Sequence, residues 1–401
     1  MLEQAAQLEQ LDELIEGLYE EMVEIRRYLH QHPELSFEEV ETPKYIAEYH
    51  RKLGLEVKEN VGGRGVTARL TGGKPGPVVA LRADFDGLPI QDEKDVPYKS
   101  KVPGVMHACG HDGHTAELLV LAKALNRIKE DLAGTIVFIH QHAEEFAPGG
   151  AIAMIEDGCL EGVDVIFGTH LWATEPTGKV QYTKGAMMAA ADRFEIVVKG
   201  KGGHGAQPHK TKDSVLIGSQ IVQSLQHIVS RSVDPIDSAV VSVGAFEAKN
   251  AFNVIADSAK LTGTVRTFSP EVQEQVISDM KRIADGVAAS YGATAELTYY
   301  KGYPALINHE PEAEFVSKAA EETPGIEEVE LSRPQMGGED FSYYLQHVKG
   351  AFFFTGAKHP DWSDEETYPH HHPKFDIDER AMLHAAKILG RVTLKAFSKY
   401  A

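Results

Sequence analysis

The stretch GPVVALRADFD, residues 76–86, is the part of the chain that decides the fold class. It is a short apolar run that could form one buried strand, and it ends in polar residues. Two later stretches, GTIVFIHQHAEE (134–145) and VDVIFGTHLW (163–172), have the same form, and patterns typical of helices separate the three. Short apolar strands that alternate with helices are typical of a parallel sheet with helices on both faces. The sequence therefore predicts an α/β fold with a mostly parallel, doubly wound sheet.

Polar side chains stand where these predicted strands end. They are Asp84, Asp86, Glu144, Glu145 and His170. In open α/β sheets, ligands bind in the crevice outside the carboxyl ends of the strands. We therefore expect these side chains to line one site.

A chain of 401 residues is too long for one hydrophobic core, so we expect two domains. Between residues 189 and 298 the pattern changes to strands and helices in the order β-α-β-β-α-β, which is typical of a ferredoxin-like α+β domain. We predict that this segment is an inserted second domain. Residues 1–188 and 299–401 would then form the domain that carries the parallel sheet.

An apolar stripe near the N-terminus predicts one long helix that packs on the first domain. Its members alternate in spacing between four and three residues: Leu11, Ile15, Leu18, Met22, Ile25 and Leu29. This spacing places them on one face of a helix. Pro33 is expected to end that helix.

Charge and cysteine content exclude several classes of partner. The formal charge of −20 at pH 7 argues against nucleic acids and anionic membranes. The chain has only two cysteines, which excludes a disulfide scaffold and favours the reducing cytoplasm. The N-terminal residues lack the basic and apolar segments of a signal peptide, and no apolar run is long enough to span a bilayer. We therefore expect a cytoplasmic protein.

The stretch MHACGHDGH, residues 106–114, packs one cysteine and three histidines into nine residues. Cys109 and His111 stand two positions apart in a glycine-containing loop, where a thiolate and an imidazole can both face one metal ion. Cys109 could instead be a nucleophile with His111 as its base, or a packed core thiol. A redox role is disfavoured because no second cysteine is close in sequence.

The adjacent Glu144 and Glu145 favour a metal site. Two carboxylates at the end of a buried strand repel each other and lose hydration unless a cation lies between them. Adjacent residues of an extended segment point to opposite sides, so one could bind the metal while the other faces substrate. Two solvated surface glutamates would fit a helix better than the end of this strand.

Histidines complete the candidate ligand set. His170 lies in an apolar run and has few polar neighbours in sequence. The stretch YPHHHPKFDIDE (368–379) contains His370, His371 and His372. One thiolate, one carboxylate and three imidazoles are too many ligands for one four-coordinate ion and suit two ions that share a bridge. Sulfur and imidazole argue against magnesium and calcium, which leaves zinc, manganese, cobalt and nickel.

Two residues of the inserted segment could serve the same site. His204, in GKGGHGAQPH (200–209), is either a histidine of a flexible turn or a donor that reaches the site from the second domain. Arg266, in GTVRTF (263–268), could hold a substrate carboxylate through two parallel hydrogen bonds. Neither pattern is decisive by itself.

Together these stretches resemble the M20 family of metallopeptidases, and specifically its amidohydrolase branch. That branch includes N-acyl-amino-acid hydrolases, hippurate hydrolases and plant auxin-conjugate hydrolases. The resemblance covers nearly the whole chain, and its segments match in order and in intervals. The segments are LHQHPELSFEE, LRADFDGLP, MHACGHDGHTA, QHAEE, GTHLW, GKGGHGAQPH, NVIADSAKLTGTVRTF, GGEDFSYY and HHHPKFDIDE.

The resemblance implies a zinc-exopeptidase-like catalytic domain with two divalent transition-metal ions, and an inserted lid domain that forms a homodimer or higher homo-oligomer. The implied metal ligands are Cys109, His111, Glu145, His170 and His371, with Cys109 as the bridge. His371 is chosen over its neighbours because the family's ligand stands two residues before the proline, here Pro373.

By the same resemblance, Glu144 is the general base, and His204 stabilises the tetrahedral intermediate across the dimer. Asn253 and Arg266 are expected to hold the substrate from the lid. A further set of residues is expected to orient the ligands through hydrogen bonds: Asp84, Asp86, His107, Asp112 and His114.

The implied reaction is hydrolysis of the amide bond of N-acyl-L-amino acids by water that the metal ions activate. The alternative is a di- or tripeptide exopeptidase on the same scaffold. A third interpretation is a metal-binding or regulatory protein with an inactive site, which the presence of both Glu144 and Glu145 disfavours.

Overall fold

The chain forms two compact units in the computed structural model, which describes residues 2–401. The first unit contains Met1–Met187, Ile307–Arg333 and Asp340–Ala401, and the second contains Met188–Leu306 and Pro334–Glu339. The second unit is therefore an insertion into the sequence of the first. Among the described residues, every helix is too short or too polar to serve as a transmembrane span.

The helices and strands follow one another along both units. The α-helices are α1 (Leu2–Glu16), α2 (Tyr19–Gln31), α3 (Glu41–Lys52), α4 (His111–Arg127), α5 (Ala151–Glu156), α6 (Ser214–His227), α7 (Pro270–Ser290), α8 (Glu310–Glu321), α9 (Phe341–His347) and α10 (Arg380–Lys399). The strands are β1 (Glu56–Val61), β2 (Gly65–Thr71), β3 (Lys74–Asp84), β4 (Ala133–Gln141), β5 (Val165–Pro176), β6 (Lys179–Tyr182), β7 (Ala186–Met188), β8 (Ala190–Lys199), β9 (Gly203–His204), β10 (Ala239–Glu247), β11 (Val254–Ile255), β12 (Ser258–Thr267), β13 (Thr294–Tyr303), β14 (Leu306–Ile307), β15 (Glu328–Leu331) and β16 (Lys349–Lys358).

An eight-stranded sheet forms the centre of the first unit, in the order β1-β2-β4-β3-β5-β16-β6-β15. Its four middle strands, β4, β3, β5 and β16, run parallel to one another. Antiparallel pairs join β2 to β4 on one side and β6 to β16 on the other. The middle strand β4 is buried over nearly its whole length, as expected for a strand covered on both faces. The predicted mostly parallel sheet is confirmed.

Helices lie on both faces of this sheet. Phe353 of β16 belongs to the main hydrophobic core, to which α1, α2, α4 and α10 also contribute. Side chains alternate along a strand, so the neighbouring Phe352 points to the opposite face. There its ring lies 4.9 Å from the ring of Phe341 in α9. The sheet is therefore doubly wound, as the sequence predicts.

The apolar stripe of the N-terminal segment is buried, but it lies on two helices. The prediction of one long helix was wrong, because α1 ends at Glu16 and α2 begins at Tyr19. Gly17 lies at the break, and only proline weakens a helix interior more than glycine does. Leu18 is still part of the core, so the stripe continues across the break. The second helix ends two residues before Pro33, as expected.

The second unit contains a four-stranded antiparallel sheet in the order β10-β12-β8-β13. With α6 and α7 packed on it, the main elements follow as β8-α6-β10-β12-α7-β13, which is the predicted ferredoxin-like order. Ser269 caps α7, since its hydroxyl accepts a hydrogen bond from the backbone nitrogen of Val272 at 3.1 Å. The last strand runs to Tyr303, so the unit continues beyond residue 298.

Candidate active site

The carboxyl edge of the large sheet brings distant polar residues together. Asp84, the last residue of β3, pairs with Gln141, the last residue of the neighbouring β4. Asp86 and the pair Glu144–Glu145 come directly after these ends. Because β3 and β4 run parallel, both segments leave the sheet at the same edge. The predicted gathering of carboxylates therefore follows from strand register.

His170 reaches the same edge from within a strand. The expectation that it stands at a strand end was wrong, because β5 continues to Pro176. This extension is stabilised by β16, which pairs with β5 from Val165 through to Pro176. The side chain of His170 is buried, and its Nδ1 lies 2.9 Å from the carbonyl oxygen of Leu171, to which it can donate. That bond leaves Nε2 as the lone-pair nitrogen.

A left-handed glycine directly precedes α4, which begins at His111. Gly110 has φ of +92°, a conformation that glycine adopts without the strain a side chain would add. Within the first turns of α4, the Thr115 hydroxyl donates to the carbonyl oxygen of Asp84 at 2.8 Å. This turn places Cys109 and His111 on either side of Gly110, facing the strand ends.

The five proposed ligands form two groups that share Cys109. In the first group, Cys109 lies with His111 and His170, and its Sγ is 3.4 Å from Nε2 of His170. In the second, Cys109 lies with Glu145 and His371, where Nε2 of His371 is 3.3 Å from Oε2 of Glu145. Within each group the candidate ligand atoms lie within 4.8 Å of one another. A thiolate common to both groups is the arrangement expected of a bridge.

Two buried atoms of this cluster lack a hydrogen-bond partner, and both fit a cation. They are Nε2 of His111 and Oε1 of Glu145, which lie 3.8 Å apart. A buried polar atom without a partner is unfavourable, so such atoms in a native site indicate a missing ligand. An imidazole nitrogen and a carboxylate oxygen that face a thiol are donors suited to a divalent transition metal. The residues therefore fit the metal that the sequence implies.

Asp86 fixes two of the proposed ligands at once. Its Oδ1 lies 3.1 Å from Nδ1 of His111, which can donate to it, and its Oδ2 accepts from the backbone nitrogen of Glu145 at 3.0 Å. The Ser36 hydroxyl donates to the same Oδ2 at 2.7 Å. By holding the proton of His111 on Nδ1, Asp86 turns the Nε2 lone pair toward the cluster.

His114 supports the cluster from behind and does not present a free nitrogen to it. A backbone N–H can only donate, so the 2.9 Å contact between Leu171 N and Nε2 of His114 makes that nitrogen an acceptor. Nδ1 must then carry the proton, which it donates to Asp84 Oδ1 at 2.6 Å. Arg82 donates to the other oxygen of Asp84 at 2.6 Å. Both nitrogens of His114 are thus engaged within the protein.

His107 and Asp112, two further residues expected to support the site, lie in different surroundings. Both ring nitrogens of His107 are buried without a hydrogen-bond partner, and burial lowers the pKa of His107 to about 4. Asp112 accepts hydrogen bonds from Arg26 and His30, each at 2.8 Å, and so faces α2. The expectation that Asp112 helps to orient a ligand stays a prediction.

The three consecutive histidines near the C-terminus point in different directions. Nε2 of His370 lies 3.0 Å from the carbonyl oxygen of Leu171, and the ring of His372 stacks on Tyr368 at 4.5 Å. His371 is the one directed at Glu145. Its φ is +66°, and its backbone nitrogen donates to Ala108 at 2.8 Å, which ties it to the Cys109 loop.

The electrostatics of the cluster also favour a cation. Burial alone would lower the pKa of His111, but the carboxylates of Asp84, Asp86 and Glu145 outweigh it and raise that pKa to about 10. Burial raises the pKa of the Cys109 thiol, and the negative charges of Glu145 and Glu144 raise it further. The carboxylates thus retain protons on their neighbours. A divalent cation would displace these protons, because metals bind the thiolate and the neutral imidazole.

Of the residues expected to act from the second unit, His204 and Asn253 lie close together, whereas Arg266 pairs with Ala191 at the other end of β12. β9 pairs with β11, which places His204 opposite Val254, and Gly205 donates to the carbonyl oxygen of Asn253 at 2.8 Å. The side chains of His204 and Asn253 are exposed. Arg266 lies on β12 and is half-buried, and burial lowers the pKa of its guanidinium.

Glu39 and Arg26 were not predicted from the sequence. Glu39 accepts a hydrogen bond from the backbone nitrogen of Ala143, the residue before Glu144. Arg26 binds Asp112 next to His111. Glu39 lies in the LHQHPELSFEE segment and Arg26 three residues before it, so that matched segment was the one available signal.

A parallel sheet with a cation-binding cluster and an additional carboxylate at its carboxyl edge is the architecture of a metal-dependent hydrolase. Comparison with known proteins identifies the family. Residues 80–395 match the model of Peptidase family M20/M25/M40, and the chain belongs to this family.

Individual relatives agree with this assignment. The YhaA protein of Bacillus subtilis is 61% identical over 380 residues, which are 95% of this chain and 96% of YhaA. An N-acyl-L-amino acid amidohydrolase of Geobacillus stearothermophilus is 47% identical over 302 residues, 75% of this chain and 82% of that protein. The solved structure of Bacillus subtilis YxeP, described as a dinuclear metal-binding peptidase from the M20 family, has a TM-score of 0.83 and 37% identity over 96% of this chain and 99% of YxeP. The chain is therefore a metal-dependent hydrolase of amide bonds, and divalent metal ions are its cofactor.

Proposed function

We propose that this protein hydrolyses the amide bond of N-acyl-L-amino acids. The position of Glu144 carries the proposal: its Oε2 lies 3.9 Å from Nε2 of His111, and the residue is 6% exposed. A buried carboxylate that stands beside the ligand cluster without being needed to complete it is suited to move protons. The 47% identical N-acyl-L-amino acid amidohydrolase supports the choice of substrate.

The cofactor in this proposal is a pair of divalent transition-metal ions, from among zinc, manganese, cobalt and nickel. The residues that would hold them are Cys109, His111, Glu145, His170 and His371, with Cys109 shared. Bound ions of this kind polarise a carbonyl group and lower the pKa of water.

The protein's own groups move the protons and hold the substrate. The Glu144 carboxylate accepts a proton from the attacking water and later donates it to the leaving nitrogen. Nδ1 of His204 accepts a hydrogen bond from the backbone nitrogen of Ala206 at 3.1 Å, so the neutral ring carries its proton on Nε2. That proton is available to an oxyanion. Arg266 and Asn253 would bind the carboxylate of the substrate.

We expect the second unit to act as a lid and to form a homodimer through which His204 serves the partner's site. Phe252, a fully exposed aromatic residue next to Asn253, is an apolar side chain that such an interface would cover. Both cysteines are free thiols, which fits a protein of the cytoplasm.

A di- or tripeptide exopeptidase is the second candidate, because the 37% identical YxeP structure is described as a peptidase. A panel of acetyl-, benzoyl- and indole-acetyl-amino acids and of di- and tripeptides separates the two. The panel is run on metal-free protein reloaded with each of the four metals. We expect kcat/KM to be highest for an N-acyl amino acid, and a preference for free peptides would establish the alternative.

The role of Glu144 is tested by a pair of adjacent variants. Glu144→Gln is expected to keep its metal and lose about 10²–10⁴-fold in kcat, the usual contribution of general acid–base catalysis. The matched variant Glu145→Gln removes a ligand and is expected to lose metal as well. A fully active Glu144→Gln protein would disprove the proposed mechanism.

A further inference from the structure

A buried guanidinium joins the two protein segments that carry His111 and His371. Arg26, on α2, is fully buried, and its three nitrogens bind carboxylates from separate places. Nε donates to Asp112 at 2.8 Å, Nη2 to Asp376 at 2.7 Å and Nη1 to Glu379 at 3.2 Å. Asp112 lies in the first turn of α4, directly after His111. Asp376 and Glu379 lie between His371 and the start of α10.

The segment that carries His371 is attached at several points. Nε2 of His370 lies 3.0 Å from the carbonyl oxygen of Leu171, the carbonyl oxygen of Pro373 accepts from the backbone nitrogen of Glu93 at 2.9 Å, and Phe375 is fully buried. The side chain of His371 is 53% exposed, and its backbone is held by one hydrogen bond to Ala108. Five residues later, Asp376 also accepts a hydrogen bond from the Tyr98 hydroxyl at 2.8 Å. The Tyr98 ring lies 4.8 Å from the Arg26 guanidinium. Arg26 and Tyr98 therefore supply the polar contacts that hold Asp376, next to the buried side chains of Phe375 and Ile377.

We propose that Arg26 is a positioning residue for metal binding, which holds His371 against the Cys109 loop by fastening residues 376–379 to α4. The inference rests on the proposed two-ion site. Without the guanidinium, the carboxylates of Asp112, Asp376 and Glu379 face one another with excess negative charge in a buried place. Their repulsion would move the segment away from α4, and the ligand group of Glu145 and His371 would lose its spacing. The group of His111 and His170 does not include this segment.

Arginine is required at this position because of its shape. Its planar fork presents donors in three directions, whereas a lysine ammonium is a compact charge that cannot reach three carboxylates from one fixed position. Arg26→Lys is therefore expected to retain only part of the metal affinity that wild-type Arg26 supports. The neighbouring Arg27 offers a matched control, because it binds Glu379 from the solvent side and is 46% exposed.

The test is a titration of metal-free protein with Co²⁺ alone, followed by visible absorption and by competition with a chelator. Wild type is expected to bind two ions per chain. In Arg26→Gln we expect one ion with unchanged affinity and a second that binds about 10–100-fold more weakly, the usual effect of losing an outer-shell contact. Arg27→Gln should bind both ions as wild type does, and circular dichroism reports whether each variant is folded.

A double-mutant comparison separates positioning from general destabilisation. In a His371→Ala background, Arg26→Gln should cause no further loss of Co²⁺ affinity, because its effect passes through His371. Should Arg26→Gln fail to fold, Asp376→Asn cuts the same link from the less buried side and should weaken the same ion by a smaller factor.

Three outcomes would overturn the inference: wild-type affinities in both Arg26→Gln and Asp376→Asn, equal losses in Arg26→Gln and Arg27→Gln, or an undiminished effect of Arg26→Gln in the His371→Ala protein. A wild-type stoichiometry of one ion would instead overturn the two-ion proposal. The role of Arg26 would then be decided by whether Arg26→Gln weakens that single ion more than Arg27→Gln does.

Discussion

Glu39 accepts a hydrogen bond at 2.9 Å from the backbone nitrogen of Ala143, 104 positions further along the chain. Ala143 has φ of +52°, a left-handed conformation that a residue with a side chain rarely adopts. It directly precedes Glu144 and Glu145, so the bond stabilises the bend that sends the two glutamates out of β4. Glu39 is fully buried, and its second oxygen has no hydrogen-bond partner.

Replacing Glu39 should change how stability depends on pH. Burial raises the pKa of Glu39 from 4.5 to about 8. Between these values the folded protein holds a proton that the unfolded chain releases, so this residue makes the free energy of unfolding fall as pH rises from about 4.5 to about 8. In Glu39→Gln that contribution disappears, and the stability of the variant relative to wild type should increase across this range.

Urea denaturation of metal-free protein at several pH values between 4.5 and 9 measures this effect. Glu38→Gln, at the exposed neighbouring position, is the control and should follow the wild-type curve. A Glu39→Gln protein with the wild-type pH dependence would show that Glu39 does not titrate in this range.

A buried pair of histidines should lower the stability of the protein at acidic pH. Nε2 of His50 on α3 lies 2.9 Å from Nε2 of His140 on β4, and neither Nδ1 has a hydrogen-bond partner. Burial lowers the pKa of His50 from 6.5 to about 3. Below pH 6.5, His50 therefore binds a proton in the unfolded chain and stays neutral in the folded protein. The free energy of unfolding consequently decreases as pH falls from 6.5 toward 3.

His50→Gln should reduce this loss, since glutamine keeps a donor for His140 and does not ionise. We expect a shallower decline in the free energy of unfolding between pH 6.5 and 4, as measured by urea denaturation. His32→Gln, at an exposed position, should leave the decline unchanged. An identical decline in His50→Gln and wild type would assign acid sensitivity to other groups.

Asp86 should control metal affinity without touching the metal. An Asp86→Asn side chain keeps one acceptor oxygen, so it cannot serve both His111 and the backbone nitrogen of Glu145. We expect metal affinity to fall about 10–100-fold, as is usual for partners of metal ligands. Ser36→Ala removes only the third donor to Asp86 and should have a much smaller effect in the same chelator competition. Equal affinity in Asp86→Asn and wild type would show that the ligands hold their orientation unaided.

Metal removal is expected to lower Tm and to leave the fold in place. The main hydrophobic core is continuous from α1 to α10 and does not depend on the cluster. Free metal at about 1,000 times its Kd would stabilise the native state by about 4 kcal/mol. Calorimetry with and without a chelator measures the shift, and circular dichroism of the metal-free protein should retain its native helix content. Loss of that content on chelation would mean that the metal is required for folding.

The fold could be predicted from the sequence because the strands of the two units have clearly different hydrophobic patterns. The middle strand β4 is buried on both faces, whereas in β8 of the second unit every second residue is buried and the residues between are half-buried or exposed. Burial on one face or two is what sets these patterns. The break at Gly17 was not predictable in the same way, because Leu18 keeps the helical spacing on both sides of it.

The site was predictable where its residues follow strands and less so where distant charges meet. Asp84, Asp86, Glu144 and Glu145 are found by their place after apolar runs. The start of α4 depends on the backbone conformation of Gly110, which no periodicity encodes. Arg26 lies within an amphipathic helix, where an arginine is normally expected in solvent, and its partners Asp376 and Glu379 lie about 350 positions away.

Because His371 is exposed, the two ligand groups should differ in how fast a bound metal ion exchanges with solvent. His111 and His170 are enclosed by the sheet edge and α4, whereas half of the His371 side chain is open to solvent. An ion on the Glu145–His371 side would therefore be replaced first during dialysis or chromatography. In a purified sample, the ion of the Glu145–His371 group would then reflect the buffers used. The ion of the His111–His170 group would reflect the metals available in the cell.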